Sequence, residues 1–117
     1  MKRTSLLQNY ILEDSILVMP GAHDVLTAKI VEQAGFKALT IGGYSASASL
    51  LGQPDLSFLT LTEMVDCVHR IVDVVDIPVF TDGATGHGGV LNVRRTVREI
   101  ERTGAAGMFI EDQVFPK

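Results

Sequence analysis

The sequence predicts an α/β protein in which a parallel sheet is joined by helical crossovers. Two observations carry this. Four short apolar runs, Ile16–Met19, Ala38–Ile41, Pro78–Thr81 and Gly107–Ile110, alternate with segments whose apolar residues recur at helical spacing. The runs show little polar alternation, as expected for strands covered on both faces.

Each element has a local reason. Ile16-Leu17-Val18-Met19 is stopped by Pro20-Gly21 and reads as a strand followed by a turn. Asp24 is placed to cap a helix through Val25, Leu26, Ala28, Ile30 and Val31, which Gly35 ends. Ala38–Ile41 reads as the second strand, closed by Gly42-Gly43, and the small and polar residues from Tyr44 to Ser57 read as a loop. Leu61, Met64, Val65, Val68 and Val72 predict a second helix. Thr60 or Thr62 is its cap, and Glu63 completes a capping box with Thr60. Pro78–Thr81 is the third strand, and Asp82 to Gly89 a glycine-rich loop. Val90, Val93, Val97 and Ile100 form the stripe of a third helix ended by Gly104, before the fourth strand, Gly107–Ile110. A doubly wound sheet and a (β/α)8 barrel both fit this order.

Composition narrows the function classes. The chain has 117 residues and a net charge of −4, which supports one domain at most. An acidic balance without a basic stripe argues against nucleic-acid binding. No apolar run reaches the roughly 18 residues of a membrane span, and no signal-peptide core follows Met1-Lys2-Arg3, so a cytoplasmic chain is expected. The single cysteine, Cys67, excludes an internal disulfide and reads as packing. His23, His69 and His87 are too scattered for a metal cluster, and the charges from Arg94 to Arg102 read as a solvated helix face.

The chemistry-bearing residues fall just after strands. Gly42, Gly43 and Tyr44 follow the second, Asp82, Thr85 and His87 the third, and Glu111 and Asp112 the fourth, while Asp55 lies in the long loop after the second. In both architectures that edge carries the active site. Several carboxylates at one rim suit a hard divalent cation such as Mg2+. Glycines beside them let backbone N–H groups approach an anion. Each Asp taken alone reads equally well as a helix cap or turn former. Gly83-Ala84-Thr85-Gly86-His87-Gly88 has neither the Lys of a phosphate loop nor the order of a dinucleotide fingerprint.

Several blocks resemble the isocitrate lyase/phosphoenolpyruvate mutase superfamily. They are Pro20-Gly21-Ala22-His23-Asp24, Gln33-Ala34-Gly35-Phe36, Leu51-Gly52-Gln53-Pro54-Asp55, Thr81-Asp82-Gly83-Ala84-Thr85-Gly86-His87-Gly88 (close to D-x-D-T-G-[YF]-G), and Asn92 through Lys117. The chain looks most like the 2-methylisocitrate lyase and carboxyphosphonoenolpyruvate phosphonomutase branches. The resemblance implies the N-terminal half of a Mg2+-dependent (β/α)8 barrel, with residues 1–117 as a partial domain. It implies a C–C or P–C bond-cleaving enzyme acting on a small 2-oxo or 2-hydroxy acid through an enolate held by metal and backbone N–H groups. Asp82 would ligate the metal directly, and Asp55 and Glu111 would hold its waters. Gly42, Gly43 and Tyr44 would line the substrate pocket. Phosphonomutase and oxaloacetate decarboxylase chemistry stay open within the same family.

The sequence departs from the pattern in three places. Ala84 stands where the family has its second Asp, so weakened Mg2+ binding is expected. Gly42 stands where a Ser or Thr is usual. The acid/base Cys of the lyases would follow Lys117, so no catalytic residue is expected within the chain, which reads as an incomplete portion, inactive by itself. A full barrel takes about 250 residues. Half of one exposes strand edges and an apolar face, so self-association or a complementary half-barrel is expected as partner. A non-catalytic half-barrel that serves as an interaction module is the alternative of another class.

Overall fold

β1 (Leu39–Ile41), β2 (Val79–Asp82) and β3 (Gly107–Phe109) form one parallel sheet in the computed structural model, which describes residues 1–117. The sheet order is β1-β2-β3, with Thr40 opposite Phe80 and Thr81 opposite Met108. On the far side of β1, Gly21 forms a single parallel bridge to Thr40. Spatial order therefore follows chain order without a reversal. A doubly wound sheet reverses at its switch point; a barrel does not. The winding is that of a (β/α)8-barrel segment.

The helices are α1 (Arg3–Leu12), α2 (Val25–Gln33), α3 (Gly43–Leu51), α4 (Leu61–Val72) and α5 (Val90–Arg102). The expected caps form. The Thr27 amide donates to Asp24 Oδ1 at 2.7 Å, which starts α2. Thr60 and Glu63 make the reciprocal capping box of α4. Gly35 and Gly104 take the left-handed conformation, with φ of +89° and +85°. Val68, Ile71 and Val72 of α4 pack with Ala28 and Val31 of α2 over Leu39, Ile41 and Val79. Fully burying each large aliphatic side chain contributes about 1.5–3 kcal/mol. Cys67 lies in this core, and burial pushes its thiol above the ordinary value, as suits a packing residue.

Three expectations need correction. Ile16–Met19 is not a strand, and Ile16 and Val18 are exposed. Only Pro20 to Ala22 pair with β1, through Thr40 N–H to the Pro20 carbonyl at 2.9 Å and Ala22 N–H to the Thr40 carbonyl at 2.8 Å. With Gly21 opposite Thr40, residues 16–18 fall alongside the turn that precedes β1, where no ladder exists to receive them. The sheet therefore has three strands and one bridge rather than four strands.

Second, the stretch after β1 is not all loop, because α3 occupies Gly43–Leu51. Its Gly, Ser and Ala residues suggest a loop by composition. Gly43, Ala46 and Ser47 fall at helical spacing, however, and are buried, and Gly52 closes the helix at φ +62°. Third, the buried face of α5 is Thr96 and Ile100, with Val93 partly covered; Val90 and Val97 are exposed. Thr96 serves on that face because its hydroxyl donates to the Gly86 carbonyl at 2.8 Å.

The N-terminal residues form a helix that the sequence reading did not assign, α1, which lies at the end of the sheet where the strands begin. Arg3 donates to the Val72 and Val75 carbonyls at 2.8 and 2.5 Å, at and just beyond the end of α4. Leu7 is buried against Gly107, the first residue of β3. No helix is long and apolar enough to cross a membrane.

Candidate metal centre at the strand ends

Asp82 is the last residue of β2 and is 5% exposed. A buried carboxylate needs donors, and two backbone amides supply them. Gly43 N–H, at the start of α3, donates to Oδ2 at 2.9 Å, and Ala84 N–H donates to Oδ1 at 2.7 Å. The first helical turn has N–H groups without intrahelical partners, so α3 presents one where negative charge is buried. Gly43 is also sterically required, since a Cβ there would meet Asp82 Oδ2 at 2.8 Å and Asp55 Oδ2 at 3.2 Å.

Two more carboxylates converge on Asp82. The loop after α3 delivers Asp55. Glu111 arrives because pairing continues past the ends of β2 and β3, through Gly83 N–H to the Phe109 carbonyl at 2.9 Å and Glu111 N–H to the Ala84 carbonyl at 2.8 Å. Oxygens of Asp55, Asp82 and Glu111 lie within 4.8 Å of one another. The Lys117 ammonium sits among them, 2.8 Å from Asp55 Oδ2 and 3.0 and 2.9 Å from the two Glu111 oxygens. Burial pushes Lys117 down, but the hydrogen bonds and charges of Asp55 and Glu111 outweigh it and hold the group above the ordinary lysine value.

The set fits a hard divalent cation. Every donor is a carboxylate oxygen, and one cation, the ammonium, is already held between two of them. The sequence-predicted metal residues Asp55, Asp82 and Glu111 are thus together. Gly43 joins them through its amide. Gly42 stands one residue back as the N-cap of α3, with room beside Ser45 Oγ for the side chain it lacks. Tyr44 is 74% exposed and does not line the cleft beside the cluster.

A cleft opens beside the cluster, lined by Gly43, Ser47, Asp55, Asp82, Thr85 and His87 among others. Burial pushes His87 below its ordinary value; the Asp82 charge pulls it up and Lys117 adds to the lowering. Two members escaped the sequence reading. Ser47 stands one helical turn after Gly43, and recognising α3 would have placed it on the same face. Lys117 is 62 residues from Asp55, and no local spacing signals that contact.

The family model for phosphoenolpyruvate phosphomutase matches residues 7–117. The chain belongs to the phosphoenolpyruvate phosphomutase family. Within the isocitrate lyase/PEP mutase superfamily, 2,3-dimethylmalate lyase of Eubacterium barkeri is 51% identical over 102 residues, which is 87% of this chain and 35% of the lyase. Among solved structures, an oxaloacetate acetylhydrolase in complex with 3,3-difluorooxalacetate superposes with a TM-score of 0.93 at 37% identity, covering 99% of this chain and 40% of that one. A phosphonopyruvate hydrolase in complex with oxalate and Mg2+ superposes with a TM-score of 0.94 at 32% identity, covering 100% and 41%. The chain therefore spans well under half the length of these family members.

Proposed function

We propose that this chain supplies the metal-binding half of a Mg2+-dependent C–C bond lyase that acts on a small 2-oxo or 2-hydroxy acid. The convergence of Asp55, Asp82 and Glu111 at the C-terminal edge of the sheet carries the reading. Asp82, held by two amides, would ligate the ion directly, and Asp55 and Glu111 would hold its waters. Bound there, Mg2+ would supply electrophilic stabilisation of an enolate oxygen. Gly42 and Gly43 would lie along the substrate's carboxylate.

The metal half is not the whole catalyst. Phe109 and Ile110 are partly exposed at the last strand of the sheet. The remaining barrel segments or a second copy of the chain would cover that edge. Mg2+ titration by calorimetry, with release of pyruvate or glyoxylate followed once a complementary half-barrel is supplied, tests the reading. Metal binding with turnover supports it. Metal binding without turnover would favour a non-catalytic half-barrel, to which Ala84 already points, and no metal binding would remove the basis for both site and chemistry.

A further inference from the structure

The cleft has a second wall. Ser47 Oγ, Thr85 Oγ1 and His87 Nε2 are buried and have no hydrogen-bond partner, and all three residues line the cleft that the carboxylates border. Ser47 and Thr85 are 1% and 7% exposed. An unsatisfied buried polar group costs about 1–3 kcal/mol, so three in one cleft call for an occupant. The fourth such atom, Thr81 Oγ1, lies within β2 and does not line the cleft.

The chemistry of this wall differs from that of the cluster. Hydroxyls donate and accept, and a neutral imidazole nitrogen does one or the other. None of the three carries a formal positive charge when His87 is neutral, the form that its burial favours. Such a wall does not match a second carboxylate or a phosphonate. It matches a hydroxyl, which also both donates and accepts. His87 also stands where the family pattern has Tyr or Phe, and neither places a ring nitrogen there.

We propose that Ser47, Thr85 and His87 form an uncharged subsite that receives a hydroxyl group of the acid substrate, with His87 Nε2 deciding between hydroxylated and non-hydroxylated acids. This rests on the reading of the carboxylate cluster as a metal and acid site. The acid's carboxylate faces metal and glycine amides, and its hydroxyl turns to the opposite wall.

The test is calorimetry on the full chain in Mg2+, with malate as the hydroxylated probe and oxalate as the probe without a hydroxyl. His87→Phe keeps a ring and removes its nitrogens. It is expected to weaken malate at least tenfold and to leave oxalate within about twofold, while His87→Gln retains most of the malate affinity. Ser47→Ala, a change that a helix accepts readily, gives the same selective loss and serves where His87→Phe fails to fold. Equal effects on both probes, or none on either, would overturn the subsite and leave the metal reading standing. Failure of the unmutated chain to bind either probe would overturn both.

Discussion

Gly43 donates its backbone N–H to Asp82 Oδ2 at 2.9 Å, across 39 residues of sequence. The bond ties the first turn of α3 to the end of β2 and leaves no room for a side chain between them. Gly43→Ala is expected to keep the helix, since alanine favours it, and to push Asp82 and Asp55 apart. Mg2+ affinity should fall at least tenfold with unchanged far-UV circular dichroism. Unchanged affinity would show that the metal does not depend on the placement of Asp82.

Ala84 adopts φ +50°, a conformation that Asp and Asn tolerate better than Ala. It borders the cleft, and its amide already serves Asp82. Ala84→Asp should therefore tighten Mg2+ binding. Equal affinity by calorimetry would count against a metal centre built as the family pattern implies.

Lys117 bridges Asp55 and Glu111 with a side chain 8% exposed and offsets one of their two charges. Lys117→Gln leaves three carboxylates facing one another. The variant should melt lower in EDTA and regain more stability from Mg2+ than the unmutated chain does, because the metal no longer displaces an ammonium. Differential scanning calorimetry with and without metal reads the difference.

Acidification should act through His87. Its folded value lies below 6.5, chiefly because of burial. As pH falls through the unfolded value the denatured chain takes up the proton first, so stability present above that pH is lost below it. Melting temperatures between about pH 7.5 and 5.5 should fall more steeply in the unmutated chain than in His87→Gln. Parallel slopes would remove His87 from the acid response.

Thr96→Val preserves shape but removes the donor to the buried Gly86 carbonyl. A loss of about 1–2 kcal/mol in urea unfolding is expected. A neutral result would mean that the glycine-rich loop is held by Val93 and its own turns.

The parts of the fold set by local chemistry were readable. Asp24, Thr60 with Glu63, Gly35 and Gly104 mark helix ends because capping uses residues three or four apart. The carboxylate cluster was readable because a parallel α/β order dictates which edge its strand-end residues share. What could not be read depends on distant partners. Ile16–Met19 has strand composition but no opposite strand; α3 has loop composition but a buried face. Val90 and Val97 fit the helical period, yet Thr96 holds the covered position because a loop carbonyl waits there. Lys117 reaches Asp55 only once the loop after α3 and the segment after β3 have met.

The clasp at the amino end also bears on the order of assembly. Arg3 is bound by carbonyls 69 and 72 residues further along the chain, and Leu7 rests on the first residue of β3. During synthesis α1 emerges before its partners at the end of α4 and in β3. The sheet grows strand by strand between neighbours, whereas α1 must wait, undocked, until the segment from Val72 to Gly107 has been made. α1 is thus secured only after the segments it clasps have been made.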